Sequence, residues 1–328
     1  MKTIFNQIKP DFNYLFFLLF LIYGCDPGNT DPVYRQHMRD FVEQISIYSK
    51  SYNPGFLIIP QNGIELVSDN GEEDGPPSSI YLQAIDANGQ EDLFYGYRRD
   101  DKETPRDERN YLISFLDISK SSGNVILVTD YCSSHDHMDD SYQKNASKGY
   151  ISFAASNREL NTIPSYPNVP NNSNSGNIVS ISQVKNFLYL INPENFATKE
   201  AILEAIEATN YDLIIMDLFF DEDLSYSAEE ISRLKFKRNG GSRLVVCYMS
   251  IGEAEDYRYY WESSWNRDKP EWLDRENPDW EGNYKVKYWN PEWQAIIYGN
   301  DNSYTKKILD AGFDGAYLDI IDAYEYYE

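Results

Sequence analysis

The sequence predicts an α/β protein built as a single (β/α)8 barrel, and three observations carry that expectation. Short apolar β runs alternate with helix-length connections along most of the 328 residues, as βαβ units and a parallel sheet require. Run after run ends on a polar or carboxylate side chain, and a barrel gathers strand ends of that kind on one face. The last run passes from Ala316-Tyr317-Leu318 into Asp319, with Asp322 three residues on, inside Gly312-Phe313-Asp314-Gly315-Ala316-Tyr317-Leu318-Asp319-Ile320-Ile321-Asp322. It sits almost at the C-terminus. A core strand cannot be left uncovered there, so its neighbours must lie earlier in the chain.

Taken in order, residues 33–50 read as a helix, with Phe41, Val42, Ile45 and Tyr48 at helical spacing and Asn53-Pro54-Gly55 as its stop. Residues 56–60 are a buried strand tipped by Gln61-Asn62-Gly63, and the Glu/Asp/Gly/Pro-rich stretch 69–77 is a solvated loop. Residues 81–86 open a second strand leading to Glu91-Asp92-Leu93-Phe94-Tyr95. A charged run, 98–109, precedes helix 110–119, and strand 125–130 ends on Asp130. A helical connection through 142–148 reaches strand 150–154. Residues 166–182 contain an Asn/Ser-rich stretch with little to bury and read as a flexible linker, ordinarily a domain boundary. Beyond it come strand 186–191, helix 198–209, strand 213–216 ending on Asp217, and a helix opened by the capping box Ser227-Ala228-Glu229-Glu230. Strand 243–250 runs into Ile251-Gly252-Glu253, strand 285–289 is shorter, and Pro291 starts a helix at its first turn. That makes nine candidate strands, so the one at 285 or the one at 150 is an accessory. Neither half alone closes a barrel; the two together do.

Composition narrows the function classes. The formal net charge of -24 and the lack of a Lys/Arg cluster exclude nucleic acid as a partner. Solvation accounts for most of that acidity, and most of the 28 Tyr and 6 Trp belong to the core, although aromatics beside carboxylates also line sugar-binding clefts. Lys2 and Lys9 precede an apolar run, 15–22, that is too short for a span of roughly 20 residues. It ends Leu21-Ile22-Tyr23-Gly24-Cys25-Asp26, which resembles a bacterial lipobox followed by a surface-export acid. The expectation is a lipoprotein signal peptide over 1–24 and a tether over 25–32 from a lipidated Cys25. It places the protein at a bacterial cell envelope, in the outer membrane and facing outward; an ordinary secretion signal with a chance cysteine is the alternative. Cys132 and Cys247 end apolar runs and read as small buried residues, not a disulfide. His135-Asp136-His137 reads as a solvated polar loop rather than a metal site, and no cofactor or obligate protein partner is implied.

Asn62, Glu91, Asp130, Asp217, Glu253 and Asp319 all fall at strand ends. One such Asp often only caps the next helix, but six point to a shared cleft. Two carboxylates, one protonated and one ionised, are what glycosidic bond cleavage uses.

Longer motifs then point the same way. Tyr248-Met249-Ser250-Ile251-Gly252-Glu253-Ala254-Glu255-Asp256-Tyr257-Arg258, Trp272-Leu273 with Glu276-Asn277, Tyr284-Lys285-Val286-Lys287-Tyr288-Trp289 through Pro291-Glu292-Trp293-Gln294, and the 312–322 segment closely resemble glycosidases related to endo-α-1,4-polygalactosaminidase, glycoside hydrolase family 114. Ile58-Ile59-Pro60-Gln61-Asn62-Gly63 and Glu91-Asp92-Leu93-Phe94-Tyr95 look like segments that come after the Gly-Phe-Asp-Gly strand in that family. The resemblance therefore implies one TIM barrel over 33–328, circularly permuted, with 166–182 joining the permuted halves. It implies Asp319 and Glu91 as the catalytic pair, with Asp319 as nucleophile or stabiliser and Glu91 as acid/base, or the reverse. Asp217, Tyr248, Glu253, Asp322, Asn62 and Asp130 become substrate-binding candidates. The expected activity is cofactor-free hydrolysis of α-glycosidic bonds in an amino-sugar or galactosaminoglycan-type polysaccharide. The alternatives are a non-catalytic surface glycan-binding lipoprotein on a degenerate barrel and a metal-dependent hydrolase, the latter disfavoured by the shortage of His.

Overall fold

The computed structural model describes residues 33–221 and 224–328, so the expected signal peptide and tether, with Cys25, lie outside the described residues. Helix α1, Val33–Tyr52, turns Met38, Phe41, Val42 and Ile45 inward at helical spacing and leads to strand β1, Leu57–Pro60. Helix α2 is Ser79–Ala84 and strand β2 is Ala87–Glu91. Helix α3, Arg106–Ser121, leads to β3, Val125–Tyr131, and α4, His135–Lys148, leads to β4, Ile151–Ala155. Strand β5 is Phe187–Tyr189, followed by α5, Lys199–Glu207, and β6, Leu213–Met216. Helix α6, Ala228–Leu234, precedes β7, Leu244–Ser250; α7, Pro291–Ile297, and α8, Tyr304–Asp310, precede β8, Gly315–Asp319.

One parallel sheet has the order β1-β8-β7-β6-β5 and a second the order β2-β3-β4. A parallel bridge between Gln61 and Gly89, with Asn62 N–H donating to Gly89 O at 2.9 Å, joins them at β1 and β2. At the far edges the Phe153 ring of β4 meets the Phe187 ring of β5 at 5.7 Å between centroids. The arrangement is a mixed α/β fold with a parallel central sheet, barrel-like in its strand order. The last strand finds its partners in β1 and β7, with Gly315 to Leu318 in register with Leu57 to Pro60.

Several expectations change. Residues 81–86, read as a strand, are mostly helix α2: Tyr81 and Leu82 are buried from one turn, and the strand is the following Ala-Asn-Gly-Gln-Glu. That stretch holds no β-branched or aromatic residue, so its strand character comes from its place in the sheet rather than from propensity. Its Gly89 has a specific reason: a Cβ there would lie 2.0 Å from the Tyr317 hydroxyl of β8. The His135-Asp136-His137 loop is the first turn of α4, closed at its other end by Gly149 in the left-handed region. The strand expected at 285–289 is Asn283–Val286, and it runs antiparallel to Glu253–Glu255 and Leu273–Glu276 in a separate three-stranded excursion. Glu253 thus opens an excursion strand instead of ending a strand of the central sheet. Cys132 and Cys247 are buried and free.

Residues 166–182 are tied to this body by polar contacts. Asn174 Nδ2 donates to Asp212 Oδ2 at 2.8 Å, and Lys237, itself fully buried against Asp212, donates to Asn174 O at 3.0 Å.

Gly89→Ala is expected to lower stability by about 1–3 kcal/mol, because the Cβ forces the packed Tyr317 ring to move. Tyr317→Phe, which removes a hydroxyl without a hydrogen-bond partner, is expected to be near neutral. Urea unfolding of the two variants checks both; equal stability of Gly89→Ala and the parent would refute the packing argument.

Candidate active site

Strands β1, β2 and β8 lie side by side and deliver Asn62, Glu91 and Asp319 to one rim. Each of these strand ends turns through a non-glycine residue in the left-handed region: Asn62 at φ 59°, Asp92 at φ 58° and Ile320 at φ 57°. Asn and Asp tolerate this conformation, but a β-branched residue adopts it at a cost, so Ile320 marks local strain directly beside Asp319.

Glu91 is surrounded by donors. Gln61 Nε2 donates to Oε2 at 2.7 Å and Asn62 Nδ2 to the same oxygen at 3.0 Å, while the Tyr131 hydroxyl donates to Oε1. The amides are themselves oriented: Tyr189 OH donates to Gln61 Oε1 at 2.8 Å, and Glu91 N–H and Gln90 Nε2 donate to Asn62 Oδ1 at 3.0 and 3.3 Å. With the carbonyl ends taken, both NH2 groups face the carboxylate.

Asp319 has a different setting. Tyr248 OH donates to Oδ2 at 2.6 Å. Burial of the carboxyl, reinforced by the negative charge of Glu91, pushes its pKa up to about 8. Asp322, one turn on, is pushed up to about 6, first by burial, with Lys285 opposing and Glu91 and Glu253 adding to the rise. Glu91 and Asp319 therefore influence each other, and the site favours one proton on the pair.

Among the expected site residues, Asn62, Glu91, Tyr248, Asp319 and Asp322 remain partly exposed at this rim. The other three are enclosed. Asp130 is fully buried and accepts from Ser141 and Asn145 of α4 at 2.6 and 3.0 Å and from the backbone of Phe94 and Tyr95 at 2.8 and 3.2 Å. Asp217 takes both arms of Arg258, at 2.9 and 2.7 Å, and Glu255 takes the same guanidinium at 2.6 Å. Glu253 is buried against Lys285 Nζ at 2.7 Å and Asn277 Nδ2 at 2.8 Å. Each is buried and bonded to donors of the protein. Sequence reasoning missed Gln61, Tyr131 and Lys285. A Gln beside the Asn at the β1 tip was the available signal for Gln61, and nothing in the local pattern marked the other two.

Among the described residues no three His, Cys, Asp or Glu side chains are grouped so as to hold a metal ion. His137 Nδ1 instead pairs with Asp101 at 3.0 Å, and His135 stacks on Tyr166 with centroids 3.8 Å apart.

Parts of the chain are similar to known proteins. An uncharacterized protein of Methanocaldococcus jannaschii is 43% identical over 162 residues, covering 49% of this chain and 43% of that protein. Uncharacterized proteins of Thermotoga maritima and Deinococcus radiodurans are 44% identical over 124 residues and 37% identical over 123, covering 37% and 38% of this chain and 36% and 37% of theirs. The chain thus spans less than half the length of these relatives in each match. Residues 187–328 match the model of glycoside-hydrolase family GH114. That segment holds β5 to β8 and Asp319, and over it the chain is similar to the GH114 glycosidases.

Proposed function

We propose that this protein hydrolyses α-glycosidic bonds of an amino-sugar polysaccharide of the galactosaminoglycan type, with Asp319 and Glu91 as its catalytic pair. The observation that carries the reading is the contrast between two neighbouring carboxyls at one rim. Three donors converge on Glu91, and burial keeps a proton on Asp319 up to about pH 8. Hydrogen bonds of this kind favour the charged form of a carboxylate. Glu91, held by these donors, is then the nucleophile or base, and Asp319 the acid that protonates the leaving oxygen. Of the two role orders that the family resemblance leaves open, this choice rests on the environments rather than on the residue types.

Asn62 and Tyr248 hold the pair, and Asp322 lines the same rim as a substrate contact. The barrel is proposed to be closed and circularly permuted: the family match begins at β5, while β1 and β2, which carry half of the site, precede it in sequence but come after β8 in space. An experimental structure with residues 33–155 and 187–328 as separately closed domains would refute the permutation. A lipid anchor at Cys25 in a bacterial outer membrane completes the proposal; Cys25→Ala should move the protein from the membrane fraction to the soluble one.

The direct test is release of reducing ends from de-N-acetylated galactosaminoglycan and related polymers. Asp319→Asn and Glu91→Gln should each lower kcat by about 10²-fold or more. Activity untouched by both sinks the assignment, and binding without hydrolysis in the parent protein would favour the glycan-binding alternative.

A stability profile tests the Asp319 proton independently. Folded Asp319 keeps its proton to about pH 8 and the unfolded chain loses it near the ordinary value of 3.8, so the folded state binds the extra proton between them. Stability should fall as pH rises through that window, and the fall should be shallower in Asp319→Asn. Identical profiles for the two proteins would overturn the protonation argument.

A further inference from the structure

We infer that Arg158, in the loop after β4, is the positioning residue for Glu91, acting through Tyr131 and Asp92 without touching substrate; the inference rests on the catalytic role proposed for Glu91. The guanidinium is the hub of the loop after β2. Nη2 and Nη1 donate to the two oxygens of Asp92 at 2.7 and 3.1 Å, Nη2 also donates to Gly96 O at 2.8 Å, and Nε donates to Asp100 Oδ1 at 2.6 Å. Its plane carbon lies 4.2 Å from the centroid of the Tyr131 ring.

Both routes end on Glu91. Tyr131 places its hydroxyl on Glu91 Oε1, so a cation stacked on that ring fixes where the donor points. Asp92 is the next residue in the chain and holds a left-handed backbone, which the fork of Arg158 pins together with Asp92 N–H donating to Thr129 O at 3.0 Å. The Gly96 position has no room for a side chain, since a Cβ would stand 1.9 Å from Asp92 Oδ1. The loop is closed tightly around this one pair.

Charge supplies the second half of the argument. The negative charge of Glu91 adds to the rise that burial imposes on the carboxyls of Asp92, Asp319 and Asp322, and the Tyr131 hydroxyl meets Glu91 from β3. Burial pushes the Asp92 carboxyl up to about 7 and Arg158 opposes that rise. Without the guanidinium, Asp92 keeps its proton and its fork to Arg158 is lost, so the turn beside Glu91 and the cation on the Tyr131 ring go together.

The test reads the Glu91 carboxyl by 13C NMR, assigned with Glu91→Gln, in the parent protein, in Arg158→Met and in Arg158→Lys. Arg158→Met should raise the pH at which Glu91 titrates. Arg158→Lys keeps a charge but cannot fork or lie flat on the ring. It should titrate near the parent while kcat falls by about 10²-fold with KM little changed, as expected when a reacting group is displaced. A Glu91 titration unmoved in Arg158→Met, with only thermal stability lowered, overturns the inference and leaves Arg158 a loop fastener. If the parent protein cleaves no glycan, the hydrolase reading falls on its own, and the Glu91 titration still decides what Arg158 does. Should Arg158→Met not fold, Arg158→Gln supplies the comparison: Glu91 should titrate at higher pH than in the parent, and no change overturns the inference.

Discussion

Two carboxyls that share a poorly solvated recess repel each other, and the rim of this protein is organised around that repulsion. Glu91 and Asp319 end strands separated only by β1, so the sheet itself sets how close they come. At such a distance both cannot carry charge cheaply, and the surroundings decide which one keeps the proton. Donors collect on Glu91 from β1, from β3 and, through Gln61, from β5. Asp319 receives one side-chain donor, a tyrosine hydroxyl from β7, and burial dominates its setting. The asymmetry is a product of donors from four strands.

The same demand reaches into the interior below the rim. Tyr317 and Tyr189 face each other at 5.2 Å between ring centroids, two large side chains in one layer of the sheet's inner face. Their bulk is accommodated because β2 offers a glycine, Gly89, where Tyr317 arrives. A bulky layer beneath the carboxyls excludes water from below, which is what raises the Asp319 carboxyl, and a small residue is needed opposite to admit it. Gly252, just past β7, has a related function, because a Cβ there would meet Ile320 O at 2.1 Å and push on the strained turn behind Asp319.

How much of the architecture is legible in the sequence depends on where each signal is stored. β6, β7 and β8 were legible because strands buried on both faces carry continuous apolar runs. β2 was not, because its composition answers to what its neighbours need rather than to strand propensity, and the apolar residues just before it belong to a short helix. The excursion of 253–286 escaped for a similar reason: its strands are three or four residues long and pair antiparallel, so nothing separates them in sequence from the end of β7. Asp319 and Glu91 were legible as strand-end acids. Tyr131 was hidden at the end of an apolar strand, where an aromatic residue is ordinarily core, and Arg158 lies 67 positions from the residue it serves (158 minus 91), a pairing that only the fold makes.

The strand-end acids divide by the origin of their partners. Asp130 is matched by Ser141 and Asn145, four residues apart on one face of the helix after its strand, so the next element already carries its donors. Asp217 is matched by Arg258, from the excursion after β7, and Glu253 by Lys285 and Asn277 of that same excursion. Each is a carboxylate whose partners arrive with a later element of the scaffold, and burial without those partners would cost several kcal/mol. Glu91 and Asp319 are met by side chains of the strand ends themselves, Gln61, Asn62, Tyr131 and Tyr248, and both keep an open side. Short donors at a shared rim position a carboxyl without covering it. Donors sent from helices and excursions cover it completely, and that difference separates acids that can meet a substrate from acids that hold the frame.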